Sequence, residues 1–227
     1  MEIKKKLKQT PLYEPYKKIK RKIIGKPSDY AIIDNWRVVF FFISKNGNTS
    51  LKKVFYKIFF GKDSKDVHYE FPRSRKNPDI KSYFKFAFVR NPYDRIVSCY
   101  EDKVKRKFWK EFRELGIKQE DSFKDFVKKI SKIPEEKADR HFVSQSYLLT
   151  NKKGNLIPDF IGRFENLEGD YKKVCQKLGI KNPPKLPQKN KGKRDKDYRK
   201  YYDKETQKLV EERYKKDFEL FGYGKEL

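Results

Sequence analysis

Apolar residues in this chain fall into short runs separated by turn-forming and charged stretches. The most compact run is Val-Val-Phe-Phe-Phe-Ile at 38–43. It has the length of a buried strand and is far too short to cross a membrane. The span 31–43 reads as one or two strands, with Asp34 and Asn35 as a hairpin turn between them. Two further strands are predicted at 83–89 and 159–164. The first of these is nearly all apolar, as a parallel strand covered on both faces is.

Helical periods lie between the strands. Residues 49–60 form one helix, closed by Gly61. Asn91 caps the next and Pro92 takes its first position. That helix runs from 93 to about 110, with Ile96, Val97, Tyr100, Val104 and Phe108 on one face. Further helices are predicted at 121–130, in part of 134–149, at 167–178 before Gly179, and at 203–218. The stretches 62–82 and 181–199 show no period. Strands alternating with helices predict an α/β domain with a central parallel sheet flanked by helices. The expected organisation is a basic arm, residues 1–30, followed by one domain, 31–227.

Charge adds to this picture. The 227 residues hold 58 Lys+Arg against 32 Asp+Glu, a formal net charge of +26. Such a balance implies an anionic partner: nucleic acid, membrane surface, nucleotide or acidic polysaccharide. Residues 1–26 carry a net +8, and 185–200 a net +6. A solvated arm and an arm that meets an anionic membrane face are both open for the first run. The two cysteines, Cys99 and Cys175, are far apart and fit neither a disulfide framework nor a zinc pattern, so no metal and a reducing, cytoplasmic setting are expected.

Candidate chemistry begins at 38–53. A strand runs into Ser44-Lys45-Asn46-Gly47-Asn48 and then into a helix opening with Thr49 and Ser50. Free amides at a helix N-terminus and the helix dipole favour an anion there, and Lys45 adds a full charge. The loop is P-loop-like, yet the Walker A pattern is absent. A plain strand-to-helix turn explains the same residues. A second strand end, at Arg90, lies at the carboxyl edge of the sheet, where α/β folds bind ligands. Ser98 follows eight residues later, two helical turns on. Read without function, Arg90 is a solvated strand-end charge and Asp94–Arg95 a surface pair.

The pair FFISKNGNTSLKK and FAFVRNPYDRIVSCYEDK resembles the two donor-binding signatures of sulfotransferases. It is most similar to the branch holding the Golgi carbohydrate sulfotransferases and their bacterial relatives. The stretches HFVSQS with DFIGRFENL, and YYD through YKKDFELFGY, resemble that branch's middle region and C-terminal helix. The resemblance covers roughly 36–223.

It implies a donor, 3′-phosphoadenosine 5′-phosphosulfate (PAPS), and transfer of its sulfuryl group to a hydroxyl or amine. By the same resemblance Lys45, Asn46, Gly47, Asn48, Thr49 and Ser50 cradle the 5′-phosphosulfate. Arg90 and Ser98 hold the 3′-phosphate, and the basic loop with Lys191, Gly192 and Lys193 closes over the nucleotide, a solvated charge run being the alternative for that loop. His68 matches the place of a catalytic histidine in the uronyl 2-O-sulfotransferases and is the expected base. Glu70 is its competitor, or an acceptor contact, and an ordinary polar loop is the alternative for both. His141 is expected to line the site or to be a core histidine. Ser44 departs from the proline common before the lysine in relatives.

The expected partners are the nucleotide donor and a glycan or other hydroxylated acceptor, acidic or membrane-associated. Nucleic acid is not expected. The rival readings are a basic nucleic-acid-binding protein and a nucleotide phosphotransferase built on the same strand, loop and helix.

Overall fold

A computed structural model describes residues 30–71, 80–187 and 197–227, without the side chains of residues 68 and 69. The basic arm, the loop residues Lys191, Gly192 and Lys193, and the imidazole of His68 lie outside the described residues.

Four strands form one sheet in the order β1-β2-β3-β4. They are β1 (Tyr30–Ile33), β2 (Val38–Phe41), β3 (Phe84–Val89) and β4 (Phe160–Arg163). A 3₁₀ turn, Asp34–Trp36, joins β1 to β2 and ends at Arg37 in the left-handed region, φ 51°. So short a link joins neighbouring strands only if they are antiparallel. β2, β3 and β4 are parallel, with Phe40 opposite Phe86 and Phe88 opposite Gly162. The sheet is therefore mixed: a parallel body with one antiparallel edge strand.

β2 is buried along its whole length, as its run of Val and Phe requires. On one face Phe40, Phe42, Phe86 and Phe88 join Phe55 of helix α1 (Asn48–Phe60) and Tyr171 of helix α6 (Leu167–Lys177) in one core. The alternate residues Val39, Ala87 and Val89 are buried as well. A Cβ on Gly162 would stand 2.5 Å from Phe88 Cε1. Glycine there lets the Phe88 ring lie across β4.

A second core lies among the helices. It joins α3 (Pro92–Tyr100), α4 (Phe123–Ser131), α7 (Lys204–Arg213) and α8 (Lys215–Phe221). Asn91 caps α3 by accepting the Tyr93 amide at 2.9 Å, with Pro92 at the first position as expected. Ser122 and Asp125 close a capping box on α4. Two four- and five-residue helices complete the set, α2 (Val67–Glu70) and α5 (Gln145–Leu149).

Two expectations are corrected. The helix expected from 93 to 110 stops at Tyr100 and opens into a π-helical turn, Glu101–Arg106, closed by Lys107 N–H donating to the Asp102 carbonyl at 3.3 Å. Three charged residues, Lys105, Arg106 and Lys107, follow Val104, and the backbone turns extended at Lys107, so Phe108 and Trp109 reach the helical core from outside the helix, ahead of the 3₁₀ segment Lys110–Leu115. The stretch 134–149 is helical in part, as expected: Gln145–Leu149 is helix, and residues 134–144 are turns, with the Asp139 carbonyl taking the amides of Phe142 and Val143. The last helix breaks at Tyr214, whose ring is buried and whose hydroxyl donates to the Phe142 carbonyl at 2.5 Å.

Gly162→Ala is expected to cost about 1–3 kcal/mol, since the buried Phe88 ring must move to admit the methyl. Chemical denaturation of the two proteins measures it.

Candidate active site

Parallel pairing puts the carboxyl ends of β2, β3 and β4 on one edge of the sheet. After β2 the chain passes through Phe42 and Ile43 into the loop Ser44–Gly47. Lys45 (φ 74°) and Gly47 (φ 71°) are both left-handed. The Gly47 carbonyl takes the amides of Ser50 and Leu51 at 3.0 and 3.1 Å, which starts α1. A Cβ on Gly47 would meet Leu167 Cδ2 at 3.0 Å and the Phe164 ring at 3.3 Å, so the loop lies directly on the end of β4. α1 is thirteen residues long, and its N-terminal amides and dipole sit at this edge. Thr49 is half-buried and Ser50 buried.

Four buried polar side chains, Asn46, Gln145, Asp217 and Arg95, fasten the loop. Asn46 Nδ2 donates to the Phe88 carbonyl at 2.8 Å and to Gln145 Oε1 at 2.7 Å. Gln145 Oε1 also accepts the Arg90 amide at 3.0 Å, and its Nε2 donates to the Arg90 carbonyl at 2.8 Å. Asp217, fully buried, accepts the backbone amides of Gln145 and Ser146 at 2.8 and 2.7 Å. Burial raises the Asp217 pKa, and those donors oppose the shift. Arg95 is also fully buried. Its Nε donates to the Ser44 carbonyl at 3.2 Å and its Nη1 to the Val143 carbonyl at 2.8 Å.

Arg90 is 4% exposed, so it is no solvated strand end. Its Nε and Nη2 donate to Asp94 Oδ2 at 2.9 and 2.6 Å. Asp94 thus pairs with Arg90, and the Asp94–Arg95 surface pair of the reading without function is not formed, because Arg95 points into the core. Arg90 Nη1 donates to the Lys45 carbonyl at 2.8 Å, and the guanidinium lies 4.0 Å over the Phe164 ring. The two signature residues, 45 positions apart, are in direct contact. Ser98, half-buried, lies on α3, the helix that starts from the same strand end.

The Lys45 ammonium meets Asp102 Oδ2 at 2.8 Å. Burial lowers the Lys45 pKa, and Asp102 only partly offsets this. Lys103 Nζ lies 3.4 Å from the same carboxylate and 4.7 Å over the Trp109 ring. Trp109 Nε1 donates to Asp139 Oδ2 at 3.3 Å, and Asp139 Oδ1 faces His141 Nδ1 at 2.6 Å. A continuous series of contacts therefore links Lys45 to His141. Burial pushes the His141 imidazole down, against the pull of Asp139. Burial would raise Asp139, yet the hydrogen bond from His141 leads the effects that hold it below the usual carboxylate range. Glu70 is exposed and accepts Ser64 Oγ and the Lys65 amide within its own loop, at 2.8 and 3.2 Å. Trp36 packs edge-on to Phe59, as a core tryptophan does.

No group of His, Cys, Asp and Glu among the described residues has the arrangement of a metal site. None of the described helices is long and apolar enough to cross a membrane.

The sequence model of a family described as "Sulfotransferase family" matches residues 28–224. The chain belongs to the sulfotransferase family. Among its relatives is carbohydrate sulfotransferase 10 of Xenopus laevis, 27% identical over 63% of this chain and 48% of the relative. Carbohydrate sulfotransferase 11 of Mus musculus is 28% identical over 65% of this chain and 49% of the relative. An uncharacterized protein of Archaeoglobus fulgidus is 37% identical over 43% of this chain and 69% of its own length. The chain spans about half the length of the carbohydrate sulfotransferases it matches. No solved structure matches it significantly.

Sequence reasoning missed the roles of Gln145, Asp217, Arg95, Asp102 and Asp139. Gln145 and Asp217 lie inside the quoted middle and C-terminal stretches, so the resemblance carried the residues without their contacts. Arg95 and Asp102 lie inside the second quoted signature in the same way. Asp139 lies outside every quoted stretch and left no local signal.

Two outcomes follow from this geometry. Gln145→Ala strips partners from buried Asn46 and Arg90 and is expected to lower stability by about 2 kcal/mol or more, read by urea unfolding. The folded-state pKa of His141 lies below its ordinary 6.5, so just under that value the unfolded chain binds more protons and stability rises with pH. His141's share of stability is present above that range and lost on acidification. The melting temperature of wild type should fall from neutral toward mildly acid pH more steeply than that of His141→Asn.

Proposed function

We propose that this protein is a PAPS-dependent sulfotransferase that moves a sulfuryl group to a hydroxyl, or an amine, of a carbohydrate or related acceptor. The observation that carries the reading is the 2.8 Å contact of Arg90 Nη1 with the Lys45 carbonyl. It joins, in a member of this family, the two strand ends that the resemblance assigns to the donor. The site suits a nucleotide with phosphates at both ends of its ribose. The α1 N-terminus and Lys45 favour one anion, and the buried guanidinium of Arg90, with the Ser98 hydroxyl, the other.

Sulfuryl transfer resembles phosphoryl transfer in needing in-line positioning and charge stabilisation above all. The acceptor oxygen forms a bond to sulfur while the bond from sulfur to the 5′-phosphate oxygen breaks. The electron pair leaves with the phosphate. Lys45 and the amides of Asn46–Thr49 meet the charge that develops there, and one such donor is commonly worth about 10²–10³ in rate. The acceptor proton goes to a base. Resemblance assigns that role to His68, on the helical turn Val67–Glu70, with Glu70 as the competitor. Lys191, Gly192 and Lys193 are proposed to close over the nucleotide. The basic chain suits an acidic glycan or an acceptor at a membrane face.

Calorimetry with 3′-phosphoadenosine 5′-phosphate (PAP) tests the donor. Wild type should bind it, and Arg90→Ala should bind at least about tenfold more weakly, a loss of about 1.4 kcal/mol. Wild type that ignores PAP and binds ATP well contradicts the reading and favours a phosphotransferase. In single-turnover assays with PAPS, His68→Ala should lose turnover and keep PAP binding; unchanged turnover removes His68 from the role.

A further inference from the structure

Lys45 does not stand alone at the mouth of its loop. Its ammonium and the Asp102 carboxylate are 2.8 Å apart, with side chains only 14% and 21% exposed. The carboxylate is delivered by the π-helical turn Glu101–Arg106, which ends the helix rising from the Arg90 strand end. π turns recur at functional sites, and their wider winding changes the direction in which side chains leave the helix. The turn is braced. Trp109 N–H donates to the Lys103 carbonyl at 2.8 Å, and Lys103 Nζ lies over the Trp109 ring. At the other end of Lys45 its carbonyl is held by Arg90 and the preceding carbonyl, of Ser44, by Arg95. Backbone and ammonium are thus fixed by separate partners.

From this geometry we infer that Asp102 is a positioning residue for Lys45, holding its ammonium in place and charged within a buried site. The inference rests on the sulfotransferase reading for what Lys45 does in the reaction. For what Asp102 does to Lys45 it rests on contacts alone.

The groups that face the amine are Asp102 and Lys103 from the π turn and the Cys99 thiol from α3. Burial pushes the Cys99 thiol up to about 12, so it stays neutral. Lys103 is a like charge. Asp102 is the anion of the set. Burial would raise its pKa, yet Lys45 foremost, with Arg106 and Lys103, holds it well below the usual carboxylate range. Asp102 therefore stays ionised throughout the range in which Lys45 titrates. Without it, burial and Lys103 act on Lys45 unopposed, and the ammonium gives up its proton at lower pH.

The test is competitive labelling of Lys45 with trace acetic anhydride across a pH series, read by peptide mass spectrometry on the full chain. It needs neither donor nor acceptor. In Asp102→Asn the reactivity of Lys45 should rise about tenfold at mildly alkaline pH, a downward move of about one pH unit in its titration. Asp102→Glu, which keeps the carboxylate, should follow wild type and guards against misfolding of the amide variant. PAP should bind Asp102→Asn at mildly acid pH no more weakly than wild type, because an anion has been removed and Lys45 is still protonated there. A merely structural role for Asp102 would leave the Lys45 titration unmoved. The same titration in wild type and Asp102→Asn overturns the inference, as does Asp102→Glu behaving like the amide. Wild type failing to bind PAP would instead overturn the donor reading and leave the labelling result standing.

Discussion

The side-chain amide of Gln145 is the contact on which the site depends. It is fully buried, and both of its polar atoms are used twice. Oε1 accepts from Asn46 and from the Arg90 backbone, while Nε2 donates to the Arg90 carbonyl and, at 3.3 Å, to Asp217. The amide thus behaves as one more strand residue beside the end of β3, and reaches the β2 loop as well. Asp217 holds it in turn by capping the two amides that open α5. A buried network of this kind is rigid when complete and costly when broken, because each orphaned group loses its water without a replacement partner. The loop of Lys45 and the strand end of Arg90 are registered to one another through it.

Around that frame the cations of the site are tied to fixed partners, and the Asp102 carboxylate serves Lys45, Lys103 and Arg106 together. Arg90 has Asp94 and Lys45 has Asp102, while the buried Arg95 is satisfied in part by backbone carbonyls. In a chain of net charge +26, such pairing lets buried cations be held in fixed geometry. The remaining excess would favour an anionic partner of the kind proposed.

Much of this was legible in the sequence, for identifiable reasons. β2 and β3 announced themselves as short, nearly continuous apolar runs, and the start of α3 by Asn91-Pro92. The convergence of Lys45 and Arg90 was readable because a parallel sheet places strand ends on one edge, and both signatures sit just after strands. Local pattern failed where long-range contacts decide. The break at Tyr214 follows from a hydroxyl that seeks the Phe142 carbonyl 72 residues away. The π turn carries a carboxylate to a lysine 57 residues upstream, and Asn46 meets Gln145 across 99 residues. Asp94 and Arg95 looked like a surface pair because adjacency in sequence says nothing about which side of a helix faces the core.

A crystal structure of the protein with PAP bound tests the central claim most directly. The account predicts the 5′-phosphate on the amides of residues 46–49 beside Lys45, and the 3′-phosphate on Arg90 and Ser98, with the Gln145 contacts intact. PAP seated away from this edge of the sheet, or Lys45 and Arg90 parted in its presence, would contradict it.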